Sequence, residues 1–295
     1  MNQLEIEVVT EIADAGLRVV FLMGTARSGS TLLGTLLGND PEVFYAGELS
    51  EWPVRDGVSP IPRSRPFWEQ VRSRVTYQPE GIDSMKRLFE HPMGLAHPIQ
   101  RRRLGRDYAR ITHDVLLAVC KEGGRSIVVD SSHYPRRAAM LRRLLGRNSV
   151  RLVFLVRRPS SVAQSFRRTG EKGILGANLY MLVVGSLAWM VYLTHPRRQR
   201  AIISYEGLTS DPRAVAARAL GRPLAGLDLE ELRASQPFVA NRFAKDGEKV
   251  KVAPAEPISR HASERASDII QWPLRWAEWC ARSKASPYSS ATSEG

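Results

Sequence analysis

Cysteine, lysine and long apolar runs are all scarce in this chain, and each scarcity excludes something. There are two cysteines in 295 residues, Cys120 and Cys280, in unrelated contexts and without CxxC spacing. That excludes a disulfide framework and a thiolate zinc site, and it suits a reducing compartment. The longest apolar run, Asn178 to Leu193, is sixteen residues, short of the roughly 20 that a bilayer span takes. It reads as a buried helix, and no membrane span is expected. The first eighteen residues carry acids where a secretion signal carries positive charge, so a cytoplasmic location is expected. HExxH and GxSxG are absent, and His91 and His97 are set among Pro92, Gly94 and Pro98, which break any shared ligand face. Neither a metal nor an α/β-hydrolase triad is expected.

What is present is basic. The chain has 43 Lys and Arg against 30 Asp and Glu, a net +13, and only seven of the 43 are Lys. Arginine's planar fork matches phosphate and sulfate bidentately, so an anionic partner is expected, although much of the charge reads equally well as a solvated surface. The 43% apolar content is enough for one large core. A single domain over residues 1–281 is expected, with the polar tail 282–295 disordered.

Four short apolar runs, RVVFLMG at 18–24, SIVVD at 126–130, RLVFLVR at 151–157 and RAIISYE at 200–206, each lead into a helix-like pattern. None alternates cleanly. This is the signature of an α/β fold whose central parallel sheet is flanked by helices. Ligands in such folds bind beyond the carboxyl ends of the strands, so the residues just after each strand matter most. Residues 52–66 hold four prolines and read as a loop over the sheet edge or a lid, and 67–120 read as mostly helical.

After the first run, Gly24 to Thr31 fit GxxxxGxT at the start of a helix. Backbone N–H groups in that geometry cradle a phosphate, helped by the helix dipole. Ser30 stands where a Walker loop has its lysine, and the cation comes three residues earlier as Arg27. A kinase or nucleotide hydrolase lacks its β,γ-phosphate contact under those conditions.

The string RSGSTLL resembles the 5'-phosphosulfate loop of sulfotransferases that use 3'-phosphoadenosine 5'-phosphosulfate (PAPS). Three further segments match in order. VRRPSSVAQSF resembles that family's 3'-phosphate motif, which assigns Arg157 and Ser165, with Arg158 where many members have Asp. VVDSSHYP matches the His and Pro of a second segment through His133 and Pro135, with Ser131 in place of a lysine. ISYEGLTSDP resembles a YEDL segment whose tyrosine lies against adenine, here Tyr205, and ANRF resembles a GNR-like segment, here Asn241 and Arg242 after Ala240. The resemblance spans 19–251 and implies a P-loop-like sulfotransferase architecture with PAPS as co-substrate. Arg27, Ser28, Gly29, Ser30, Thr31, Arg157, Ser165, Tyr205, Asn241 and Arg242 would hold the donor, with Arg27 also catalytic.

The resemblance offers two general bases. Glu48, 21 positions after Arg27, matches the spacing of the glutamate in protein-tyrosine sulfotransferases, whereas His133 follows the small-molecule branch. An imidazole titrates in the useful range, and a partly desolvated carboxylate can be raised into it. The acceptor is expected to be a hydroxyl of a small molecule or glycan. Its pocket would draw on the 52–66 loop, the 67–110 helices and the 174–193 run, where Trp52, Phe67 and Trp68 favour an apolar alcohol or phenol. The alternatives are a P-loop kinase or hydrolase, and a non-enzymatic basic nucleic-acid-binding protein. The latter has only its charge in support and no recognisable module, so no nucleic-acid partner is expected.

Overall fold

The computed structural model describes residues 16–76, 98–226, 228–232, 236–239, 252 and 262–283. Part of the 67–120 helical stretch, Asn241 and Arg242, and the tail from 284 therefore lie outside the described residues.

Five parallel strands form one sheet in the order β2-β3-β1-β4-β5. They are β1 (Arg18–Gly24), β2 (Val43–Gly47), β3 (Ile127–His133), β4 (Val150–Val156) and β5 (Arg200–Ser204). The continuous Val, Ile, Leu and Phe runs are buried on both faces, which is why they do not alternate. The chain leaves β1 toward β2 on one side and leaves β4 toward β5 on the other. The carboxyl ends of β1 and β4, which pair through Gly24 and Leu155, thus flank a topological switch point, the crevice where such sheets bind ligands.

The helices are α1 (Ser30–Leu37), α2 (Arg65–Ser73), α3 (Pro98–Gly123), α4 (Pro135–Leu144), α5 (Pro159–Thr169), α6 (Ile174–Leu193), α7 (Tyr205–Ser210), α8 (Pro212–Leu220), α9 (Ala262–Ile270) and α10 (Trp272–Ser283). α1 buries Leu33, Leu36 and Leu37. Gly34 lets it close on the sheet, because a Cβ there would come within 2.2 Å of the Tyr45 ring.

The structure corrects the sequence reading in several places. VFYAG at 43–47 is a strand, too short and too close to the Asn-Asp-Pro turn to stand out. β3 runs three residues past Asp130 to His133, and Tyr205 begins α7 instead of ending β5. Trp52 and Trp68 are fully buried and form core, not acceptor pocket. Trp68 packs edge-on against Phe238 at 4.9 Å and donates its indole N–H to the Gln236 carbonyl (2.9 Å).

That contact explains why an edge strand is buried throughout. Residues 236–239 lie along β2, with the Phe238 N–H bonded to the Ala46 carbonyl (2.8 Å) and the Glu48 N–H to the Val239 carbonyl (3.0 Å). The Pro-rich 52–66 stretch folds against the same strap, Ser59 donating its hydroxyl to the Phe238 carbonyl (2.7 Å). An open strand edge is thereby covered.

Helix α6 also departs from expectation. Ala177, Met181, Val184, Gly185 and Ala188 face the core, but Leu175, Leu179, Leu182, Met190 and Leu193 are exposed. Apolar residues on both faces leave no periodic signal from which the exposed side can be read. Among the described residues it is the one helix long and apolar enough to cross a membrane, and only about a third of it is buried.

Beyond α6, buried His195 donates its Nε2–H to the Val150 carbonyl (2.8 Å). Burial above all, with Arg142, Arg147 and Arg200 nearby, pushes its pKa down from 6.5 to about 4. The folded state favours the neutral ring, so the unfolded chain binds the extra proton. Stability is complete above pH 6.5 and is expected to fall as pH drops toward 4, by on the order of 3 kcal/mol. Thermal unfolding across that window checks this. A His195→Gln variant should show a flatter profile, and an unchanged slope would remove His195 as the cause.

Candidate active site

The glycine loop between β1 and α1 owes its shape to backbone that most residues avoid. Gly29, the N-cap of α1, has φ 98°, and Arg27 itself is left-handed at 69°. Gly29 cannot carry a side chain, since a Cβ would lie 2.4 Å from the Tyr205 ring. Ser28 is buried and turns its hydroxyl back to the Thr25 carbonyl (2.7 Å), which tightens the loop. Ser30 and Thr31, in the first turn of α1, are partly exposed. The loop therefore offers helix N-terminal N–H groups to an anion.

Arg157, at the end of β4, spans the switch point. Its Nη1 donates to the Arg27 carbonyl (3.0 Å), and its guanidinium lies 4.3 Å from the centre of the Tyr205 ring. Loop, cation and aromatic ring are thus one packed unit. Ser165 is buried on the second turn of α5. Arg158 gives its backbone N–H to the Glu206 carboxylate (3.2 Å), which brings a negative charge from the first turn of α7 to this strand end.

Arg27 itself is engaged: its guanidinium pairs with Glu171, in the loop between α5 and α6. Glu171 is about half exposed and Arg27 partly so, so the pair adds little stability and yields readily to a stronger anion.

The two base candidates stand at the ends of neighbouring strands. Glu48 follows β2, partly exposed and fixed by its backbone bond to Val239. His133 ends β3 with φ 52°, its ring 4.5 Å from that of Tyr134. Beneath His133 lies a buried network. Asp130 accepts from the Ser132 N–H (2.9 Å) and hydroxyl and from Arg137 Nε (2.9 Å), and Arg137 also donates to the Tyr108 hydroxyl (2.6 Å). Ser132 in turn accepts from the Ser50 N–H (2.9 Å), tying the two strand ends together.

Sequence reasoning missed Tyr180 and Tyr45. The Ala26 N–H donates to the Tyr180 hydroxyl (3.0 Å), anchoring the loop to α6. Tyr180 titrates above its usual value, through burial first, with the Ala26 bond opposing and the Glu48 charge adding. Tyr45 is raised too, by burial and then by the Glu48 and Asp130 charges, against hydrogen bonds from Ser131 and Thr31. The Glu48 carboxylate is therefore felt at two hydroxyls bordering the loop. Ser131, in the place of a lysine, is buried 3.2 Å from the Tyr45 hydroxyl and brings no cation. Neither tyrosine carries a sequence signal, since one lies in an apolar run and the other in an unrecognised strand. Among the described residues no group of three or more His, Cys, Asp or Glu could hold a metal ion.

Residues 19–224 match the sulfotransferase family. The chain belongs to that family. Its match takes in the glycine loop, both base candidates, Arg157, Ser165 and Tyr205. The fold of this sulfotransferase is similar to that of the sulfotransferase domain from the curacin biosynthetic pathway, at TM-score 0.52 and 16% identity, covering 86% of this chain and 96% of that one. The sulfotransferase domain of the Synechococcus PCC 7002 olefin synthase matches at TM-score 0.49 and 18% identity, over 85% and 93% of the two chains. Sulfotransferase STF9 from Mycobacterium avium matches at 0.45 and 15%, over 90% and 78%. No curated protein is significantly similar to the chain.

Proposed function

We propose that this sulfotransferase moves a sulfuryl group from PAPS to a hydroxyl of a small molecule or glycan by in-line displacement. The observation that carries the reading is the packed unit of Gly29, Arg157 and Tyr205 around a phosphate loop whose cation is Arg27 in place of a Walker lysine. Ser28, Gly29, Ser30 and Thr31 hold the 5'-phosphate, Arg157 and Ser165 the 3'-phosphate, and Tyr205 the base. Asn241 and Arg242 are assigned to the 3'-phosphate from the sequence alone.

In the reaction, the acceptor oxygen attacks sulfur as the bond from sulfur to the 5'-phosphate oxygen breaks, leaving adenosine 3',5'-bisphosphate. Arg27 exchanges Glu171 for the transferring group and stabilises the charge growing on the bridging oxygen, the role electrostatic preorganisation plays in phosphoryl transfer. Glu48 takes the acceptor proton. We take Glu48 as the first candidate, because its charge reaches the Tyr180 and Tyr45 hydroxyls at the loop, with His133, in register with Met23 just before the loop, as the alternative base.

Titration calorimetry with adenosine 3',5'-bisphosphate, beside ATP and ADP, tests the donor. Micromolar binding of the 3'-phosphorylated nucleotide is expected, weakened by about tenfold to a hundredfold in Arg157→Ala, the worth of a charge-assisted contact. Preference for ATP would overturn the reading.

A further inference from the structure

The outer face of α6 serves neither the core nor the proposed reaction. Leu175, Leu179, Leu182, Met190 and Leu193 are 49–85% exposed, and their spacing keeps them on one side of a helix about 30 Å long. α10 extends the apolar surface. The Trp276 ring meets Trp189 edge-on at 5.9 Å, Gln271 donates to the Asn178 carbonyl (2.9 Å), and Trp272 and Trp276 are 67% and 50% exposed. A continuous apolar face of this kind marks an interaction site, unlike single exposed leucines.

Charge decides what covers it. Arg167, Arg168 and Lys172 precede the first turn of α6, and Arg197 and Arg198 follow the last; all five are exposed. The C-terminal part of α4, carrying Arg143 and Arg147 at and just beyond its end, packs against the far end of α6, where Arg142 bonds the Val191 carbonyl (3.1 Å) and the Thr194 hydroxyl (2.9 Å). Among the described residues, Glu171 pairs with Arg27, and Asp268 accepts from the Ser160 N–H and hydroxyl (both 3.0 Å). A second copy laid on this face in either direction would press one basic end against another. An anionic bilayer surface has the complementary arrangement, with negative headgroups at the level of the arginines and an apolar layer beneath for leucine, methionine and tryptophan.

We infer that the outer face of α6, with Trp272 and Trp276, docks on an anionic lipid surface. The helix lies in the interfacial plane and does not cross it, because its inner side is part of the core. Tyr180 follows exposed Leu179 and carries the hydroxyl that holds the Ala26 N–H, so the docked helix also supports the phosphate loop.

Co-sedimentation of the full chain with phosphatidylglycerol vesicles and with phosphatidylcholine vesicles tests this. Binding to the anionic vesicles at least about tenfold stronger is expected, falling with added salt and accompanied by a blue shift of tryptophan emission. The triple variant Leu175→Ser/Leu179→Ser/Leu182→Ser, at exposed positions and with its thermal midpoint as a control for folding, should lose about tenfold or more. Arg197→Glu/Arg198→Glu should reduce the preference for anionic lipid several-fold. No vesicle binding by the parent protein, or equal binding by the triple variant, overturns the inference. Self-association that the triple variant abolishes, with no vesicle binding, would assign the face to a second copy.

Discussion

Arg27→Ala is expected to lower sulfuryl transfer by about a hundredfold to a thousandfold, the cost of removing one preorganised charge stabiliser from the reacting group, while leaving the fold intact. Arg27 already holds a left-handed backbone conformation without glycine's freedom, so alanine adds no new strain of consequence there. The loop is held through the carbonyl of residue 27 by Arg157 and through the Ala26 N–H by Tyr180, and both bonds survive truncation of the side chain. The ion pair that is lost, with Glu171, is partly exposed and contributes little to stability. Arg27→Lys should recover part of the rate, because it keeps the charge but loses the planar fork. Glu171→Gln should leave turnover within a few-fold, since the pair must open before the donor binds. Steady-state rates with PAPS and an identified acceptor, beside unfolding curves, decide the matter. Near-normal turnover by Arg27→Ala would remove Arg27 from the chemistry.

How far this site could be read from the sequence depended on where its information is stored. β1, β3, β4 and β5 were legible because their apolar runs are buried on both faces and each feeds a helix. The Gly24–Thr31 loop was legible because glycine at fixed spacing is a backbone requirement, here met by Gly29 against Tyr205. β2 was not, because its five residues owe their burial to a strap nearly two hundred positions away, and no local pattern reports a partner so distant in the chain. The same long-range contact hid the true role of Trp68, which composition alone assigns, with Trp52, to a binding pocket. Tyr180 and Glu171 were invisible for another reason. Each acts on the loop through a single side-chain contact made by tertiary packing of α6 and the turn before it, and neither residue type is unusual where it stands. Glu48 and His133 are both visible in the sequence, but the strand that ends before Glu48 is not, so their standing on neighbouring strand ends is legible only in the fold.

The choice between these two bases sets the second large effect. Glu48→Gln keeps the shape of the side chain and its backbone bond to Val239 but removes the proton acceptor, so a fall of about a hundredfold to ten-thousandfold is expected, the range of general-base catalysis. The matching test at His133 is asparagine. At φ 52° most residues would be strained, but asparagine enters the left-handed region readily, so His133→Asn isolates loss of the imidazole from loss of the turn. With the base assigned to Glu48, it is expected to cost no more than about tenfold. The pH dependence separates a base from a positioning group. Removing the true base flattens the limb on which rate rises with pH, whereas disturbing the Asp130, Ser132 and Arg137 network lowers the rate without changing that limb. A near-normal Glu48→Gln beside a crippled His133→Asn with a flattened limb would pass the role to the imidazole, and the buried Asp130–Arg137 pair (2.9 Å) would then be the scaffold that aims it.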